Sequence, residues 1–148
     1  MPATLEQILL APDVRPAVDA DCCQLIEQEV GDKTGASGAA IKVAFKTVTS
    51  FAPGYFRSTV SDLVPQIVGA LEPFWADFGE SGGAEFGDYL VKRGDEVSQA
   101  LLALTDGIAQ RSERPVVIKA YRAVRGSAGQ HVEAALPRVG GLVGKYAT

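Results

Sequence analysis

The sequence of 148 residues predicts an all-α fold, a helical bundle made of two pseudo-equivalent three-helix halves. Apolar residues recur at intervals of three and four along most of the chain, which is the spacing of one face of a helix. Few segments alternate apolar and polar residues as a half-buried strand does. The third observation is a weak internal repeat, in which two pairs of similar segments follow one another in the same order.

The repeat pairs residues 41–48 with residues 118–124, and residues 63–71 with residues 135–143. The first pair keeps two basic positions, and the second keeps a proline and a glycine in register. We interpret the repeat as an internal duplication. The alternative is chance, because amphipathic helices resemble one another at helical spacing.

A chain of this length normally forms one domain, here residues 1–148. Extending the match to the flanking helices predicts repeats at residues 5–72 and 87–144. The glycine-rich stretch between them predicts a linker over residues 79–86.

Capping residues divide the first half into helices. Thr4 and Gln7 form a capping box for a short first helix. Asp13 and Ser37 are suited to cap a second and a third helix, and Gly31 follows the end of the second. Both helices carry an apolar stripe, formed by Val14, Val18, Cys22, Leu25 and Ile26 and then by Ile41, Ala44, Phe45 and Val48.

A fourth helix is predicted from about Tyr55 to Leu71, with a bend near Pro65 because proline lacks the N–H of a helical hydrogen bond. An aromatic stretch then leads into the linker. The second half contains a short helix after the linker, a helix capped by Asp95, a helix that starts at Pro115 and a last helix over residues 130–146.

The acidic composition limits the possible functions. The formal net charge is −4 and the isoelectric point is about 5.0, whereas nucleic-acid-binding domains are usually basic, so no nucleic-acid partner is expected. No apolar run approaches the roughly 18 residues of a membrane span, and the first residues lack the features of a signal peptide. The adjacent Cys22 and Cys23 are expected to be reduced thiols, and the expected location is cytoplasmic.

No catalytic motif meets its structural requirements. Residues 79–83 fit the pattern G-x-S-x-G of a nucleophile elbow, but that motif needs a preceding strand and a histidine base. The sole histidine, His131, has no Cys or His partner at metal-ligand spacing and is expected to pack at or near the surface. The sequence therefore predicts no enzyme activity, no cofactor and no metal site.

Basic residues form the first candidate binding surface. Lys42 and Lys46 lie one turn apart on the predicted third helix, and the repeat pairs them with Lys119 and Arg122, with Arg125 nearly one turn further on. If the two halves pack about a pseudo-twofold axis, these side chains form one basic face for an anionic ligand or an acidic partner. The alternative is two separate solvated helix faces.

Aromatic residues form the second candidate surface. Phe74, Trp75 and Phe78 lie together beside the predicted linker. They are expected to pack in the core, or, where exposed, to anchor a partner.

Four segments resemble a known family. They are Ser37-Gly38-Ala39-Ala40-Ile41-Lys42, Pro73-Phe74-Trp75, Leu101-Leu102-Ala103-Leu104-Thr105-Asp106 and Arg114-Pro115. In these segments the chain is similar to a family of small helical proteins found in actinobacteria, to which no function is assigned. The resemblance implies a soluble all-helical domain and implies no mechanism.

Two functional hypotheses follow. The first is a non-enzymatic cytosolic binding or scaffold protein that binds a protein partner or itself, because Gly69, Gly140, Gly141 and Gly144 permit close helix contacts. The second is a carrier of an apolar or amphiphilic anionic small molecule in a pocket between helices. In that case the aromatic residues would line the pocket, and Lys46 or Arg122 would hold the anionic group.

Overall fold

The computed structural model describes residues 3–51 and 53–147, and within them it contains seven α-helices and no β-strand. The helices are α1 (Leu5–Leu9), α2 (Arg15–Asp32), α3 (Gly35–Phe51), α4 (Tyr55–Ser81), α5 (Phe86–Lys92), α6 (Gly94–Arg111) and α7 (Pro115–Ala147). The prediction of an all-α fold is confirmed. No helix in these ranges is long and apolar enough to cross a membrane.

Local signals start and end several helices, and those at Thr4 and Pro115 are the predicted ones. In the capping box of α1, the Gln7 amide donates to Thr4 Oγ1 at 3.2 Å and the Thr4 amide donates to Gln7 Oε1 at 3.0 Å. Gly54 precedes α4 and Gly82 follows it, with φ angles of 87° and 72°, in the left-handed region where a side chain would be strained. Pro115 is the first residue of α7, where its missing N–H is not needed.

The starts of α2 and α3 differ from prediction. Asp13 does not cap α2, because the residue before the helix is Val14, which makes no side-chain cap. Pro16 in the first turn removes one N–H that a cap would otherwise satisfy. Ser37 lies inside α3, which begins at Gly35.

Asp95 is not the cap of α6 either, because α6 begins at Gly94. Arg93 ends α5 and also precedes α6, and its carbonyl accepts the amide of Val97 at 2.9 Å. The chain turns from one helix directly into the next, which leaves no room for a separate capping residue.

Two helices are longer than predicted. α4 continues through Ser81, so residues 79–81 are helical and the connection to α5 is shorter than the predicted linker over residues 79–86. α7 is continuous where two helices were expected. Ala128 is buried, and a Cβ on Gly129 would lie 3.8 Å from Leu102 of α6. Packing against α6 therefore stabilises a stretch that its glycines weaken.

The internal duplication stays a hypothesis. In the first half, α3 and α4 are separate helices, whereas the matching segments of the second half belong to one continuous helix. The two halves thus differ in their connection even though the prolines at positions 65 and 137 both lie inside helices.

α7 is the central helix of the fold. α3, α5 and α6 pack along it, while α1 and α2 pack on α4 and also touch α7. α4 and α7 make little direct backbone contact, because the shorter helices lie between them. The most deeply buried side chains of the core are Leu5, Val18, Val64, Leu71, Leu90, Val97, Leu136 and Val143.

Three tyrosine–aspartate clamps join neighbouring helices. In each clamp a tyrosine hydroxyl donates to an aspartate at 2.5 Å, and a basic side chain contacts the same carboxylate. The clamps are Tyr89, Asp77 and Arg93 between α5 and α4, Tyr121, Asp106 and Arg125 between α7 and α6, and Tyr146, Asp21 and Lys145 between α7 and α2. These donors lower the pKa of Asp21 and of Asp106, so both carboxylates stay ionised.

Two glycines bring α7 and α5 into backbone contact. A Cβ on Gly140 would overlap the backbone of Gly87, and a Cβ on Gly87 would lie 3.3 Å from the carbonyl oxygen of Pro137. The expected close helix approach is confirmed at Gly140. For Gly141 and Gly144, the expected close contact with another helix of the same chain is wrong, because a Cβ added at either position would meet nothing within 4 Å.

We expect Gly140→Ala to lower the free energy of unfolding by about 3 kcal/mol, because the added methyl group meets backbone that cannot move aside. The matched control is Gly141→Ala, which should raise stability by about 0.5–1 kcal/mol through helix propensity. Urea unfolding of both variants measures the difference. Equal stability of the two variants would contradict the packing described for α5 and α7.

Candidate functional site

A cavity of about 330 Å³ lies between α4 and α7, in the space that the shorter helices leave. α2 and α6 contribute further walls, and Leu9 of α1 and Ile41 of α3 complete the lining. The cavity is partly open to solvent and almost entirely apolar. Its surface is mainly aliphatic, as in Leu63, Ile67 and Val68 of α4 and Ala135, Val139 and Leu142 of α7.

One group of polar side chains lies at the cavity, where α2 meets α7. Glu29 and Lys33 line the cavity and form an ion pair at 3.0 Å. Arg138 of α7 donates to the other oxygen of Glu29 at 2.5 Å and to Asp32 at 2.5 Å. Lys33 Nζ also donates to the backbone carbonyl of His131 at 3.3 Å. These contacts satisfy the charged groups and fix the spacing of α2 and α7.

His131 is the polar residue of the cavity with an unmet hydrogen-bonding group. Its Nε2 is buried and has no partner among the residues that the structure describes. Burial lowers the pKa of the imidazole, and the positive charge of Lys33 lowers it further. The ring is therefore neutral at pH 7, and Nε2 can either donate or accept one hydrogen bond, depending on the tautomer.

The remaining polar groups of the lining are not activated for chemistry. Burial, followed by the negative charge of Asp19, raises the pKa of Cys22 to about 11, so its thiol stays protonated. The hydroxyl of Thr105 already hydrogen-bonds to the Tyr121 hydroxyl at 2.7 Å and to the carbonyl of Leu102 at 3.0 Å. Neither of these two lining groups is therefore an activated nucleophile.

The predicted basic residues lie outside the cavity. Lys42, Lys46, Lys119 and Arg122 are exposed, and within the described ranges their side chains make no hydrogen bond or ion pair. Arg125 differs from them, because it donates to both oxygens of Asp106 at 2.7 and 3.1 Å in one of the clamps. Arg125 is therefore already paired with a carboxylate of the same chain.

The predicted aromatic residues lie in a cluster away from the cavity. Phe74, Trp75 and Phe78 are half-buried and pack against the core. Trp75 and Phe78 also contact the ring of Phe86 in α5, at centroid distances of 5.0 and 5.3 Å. The expectation that these aromatics line a ligand pocket is wrong, since the lining is aliphatic. Their role as partner anchors stays a prediction.

Neither a metal cluster nor a nucleophile elbow is found in the parts of the chain that the structure covers. No three His, Cys, Asp or Glu side chains in residues 3–51 and 53–147 are grouped to hold a metal ion. Ser81 of the G-x-S-x-G pattern is the last residue of helix α4, and its hydroxyl donates to the carbonyl of Phe78 at 2.7 Å.

Sequence reasoning missed His131 as a residue of the cavity. A signal for it is present, because His131 shares a helix face with Ala128, Val132, Ala135 and Val139, all of which line the cavity. The expected helix start near residue 130 placed this histidine at a helix end, where exposure is common.

We expect the free energy of unfolding to fall as the pH is lowered from about 7 to 5. The unfolded chain has an ordinary histidine pKa of about 6.5 and so binds a proton more readily than the native state. His131→Leu should remove this fall, and urea unfolding at several pH values measures it. Carboxylate titration lies mostly below this window, and the chain has no other histidine. Parallel pH curves for the two proteins would contradict a neutral His131 whose Nε2 is buried.

Comparison with known proteins gives a family but no function. Neither the curated proteins nor the solved structures contain a match to this chain. A family model does match residues 5–147, which is nearly the whole chain, and it is described as a family of unknown function. The predicted resemblance to an uncharacterised family is confirmed to that extent. The chain belongs to the family of unknown function DUF6918.

Proposed function

We propose that this protein is a non-enzymatic binding protein, which holds an apolar or amphiphilic small molecule in the cavity between α4 and α7. The observation that carries the proposal is an apolar cavity of about 330 Å³ whose lining includes His131, a residue with a buried Nε2 that has no partner among the described residues. Small-molecule sites typically have volumes of roughly 300–1,000 Å³ and combine apolar walls with a few polar groups.

The size of the cavity favours a ligand-binding site over a simple packing defect. An unfilled gap between apolar walls lowers stability, because the lining side chains lose packing contacts that a filled core would make. The opening to solvent reduces the cost, but apolar walls hydrate poorly, so an apolar ligand would stabilise the fold.

The polar group of the cavity indicates the chemistry of the ligand. A neutral imidazole can bind a hydroxyl, a carbonyl or a carboxylate oxygen through Nε2. Lys33 adds a positive charge nearby, although Glu29 already pairs with it. A chain-like molecule with one terminal oxygen group, such as a medium-chain fatty acid or alcohol, matches both features.

Native mass spectrometry of the purified protein tests the proposal directly, because a bound amphiphile adds its mass to the chain. Displacement of anilinonaphthalene sulfonate by lauric acid and by dodecanol then compares a charged with a neutral terminal group. Absence of a bound mass, together with no displacement by either compound, would overturn the proposal.

We expect Ala135→Phe to weaken binding of the probe about tenfold or more, because the ring occupies the cavity. The same change should raise the free energy of unfolding by about 1–2 kcal/mol, since it fills part of the gap. The matched control is Ala134→Phe, which adds the same ring to the exposed face of α7. Equal probe affinity for both variants would place the binding site elsewhere.

Self-association is a second proposed function. Gly69 of α4 and Gly141 of α7 are exposed, and an added Cβ on either would meet nothing, so both helices present surfaces that a second copy could approach closely. Sedimentation velocity over a wide concentration range is the measurement, and we expect the sedimentation coefficient to rise with concentration. A constant monomer value at high concentration would exclude this function.

A further inference from the structure

The charges of this acidic chain are unevenly distributed. Residues 33–61 and 114–132 contain eight of the fourteen Lys and Arg residues and none of the eighteen Asp and Glu residues. The first range covers α3 and the start of α4, and the second covers the first half of α7. The basic residues are Lys33, Lys42, Lys46, Arg57, Arg114, Lys119, Arg122 and Arg125.

The two basic ranges lie side by side. α3 packs against α7, and beside the start of α3 the Nζ of Lys33 donates to the carbonyl of His131. Beyond the other end of α3, the Arg114 guanidinium lies 5.0 Å from the centre of the Tyr55 ring. α3 and α7 therefore run antiparallel, and the middle of α3 is level with residues 119–125 of α7.

Four exposed basic side chains lie at this level, and we call them the basic face. They are Lys42 and Lys46 of α3 and Lys119 and Arg122 of α7. No Asp or Glu occurs in α3 or in the first half of α7, so no neighbour on the same helices neutralises the four charges. The charges remain available to an anionic partner.

Two large apolar side chains are exposed on α3, Val43 directly after Lys42 and Phe51 at the end of the helix. Val43 is 66% exposed and Phe51 is 55% exposed. A helix that combines exposed apolar and basic side chains is typical of contact with an anionic lipid surface, where apolar groups enter the interface and cations pair with phosphates. An acidic protein surface would satisfy the lysines but would bring charged groups against Val43 and Phe51.

We propose that the outer side of α3 and the adjacent part of α7 dock on an anionic lipid surface. The basic face contacts the lipid phosphates, while Val43 and Phe51 enter the boundary between head groups and acyl chains. This docking does not depend on whether the cavity binds a ligand, because the exposed residues named here do not line it.

Co-sedimentation with vesicles tests the proposal. The full chain should bind vesicles of phosphatidylcholine with one third phosphatidylglycerol, and should not bind vesicles of phosphatidylcholine alone. Lys42→Glu with Lys46→Glu should weaken binding by about 25-fold or more, because each basic residue near an anionic surface contributes about fivefold. Raised salt should weaken binding of the wild type through screening. Phe51→Ser should reduce the binding that persists at high salt.

The matched control is Lys92→Glu with Arg111→Glu, which makes the same change of net charge at exposed positions outside the two basic ranges. Circular dichroism and thermal unfolding verify that each variant folds. Equal binding to both vesicle types, or equal loss of binding in both double variants, would overturn the proposal. The proposal would also be overturned if the wild type self-associates without vesicles and the double variant Lys42→Glu with Lys46→Glu does not. The basic face would then bind the acidic surface of a second copy.

Discussion

The length of α7 determines how the rest of the fold is arranged. Its 33 residues extend for about 50 Å, whereas a compact chain of 148 residues has a diameter of roughly 40 Å. No other helix can cover it alone, so α3, α5 and α6 each cover one part. α4 is also long, and short helices cover it in the same way. Where the short helices meet, α4 and α7 remain apart, and the cavity occupies that space.

Directional contacts around the cavity keep its walls in place. The tyrosine–aspartate clamps join α7 to α6 and to α2, and α5 to α4. Arg138 adds a second connection from α7 to α2 through Glu29 and Asp32. These bonds require fixed geometry, unlike aliphatic packing, so the helices cannot slide together to close the gap without losing them. The aliphatic side chains therefore form the surface of the cavity, and the polar contacts at its edge keep the helices apart.

The sequence predicted some features that depend on a few neighbouring residues, although the expected caps at Asp13, Ser37 and Asp95 do not form. The capping box of Thr4 and Gln7 and the helix start at Pro115 each act within one helical turn, and each behaves as its chemistry requires. The predicted break near residues 126–129 failed because burial of Ala128 against α6 outweighs the low helix propensity of the adjacent glycines. Tertiary contacts of this kind are not visible in a local pattern.

The cavity could not be predicted for a similar reason. Aliphatic residues at helical spacing indicate a buried face, and they do not reveal whether the facing helix is close enough to fill the space. The distance between α4 and α7 depends on bulky and small residues elsewhere, including the backbone contact at Gly87 and Gly140. The exposure of Lys42 and Lys46 was predictable from their position opposite the apolar stripe of α3.

The shallow burial of α3 has a kinetic consequence. Gly38 is the only residue of this helix that is fully buried, yet Ile41 forms part of the cavity wall. Free energies of local opening follow the apolar surface that a segment buries, so α3 should separate from the fold more often than α4 or α7. Each opening would remove Ile41 from the cavity wall and widen a mouth that is already partly open to solvent.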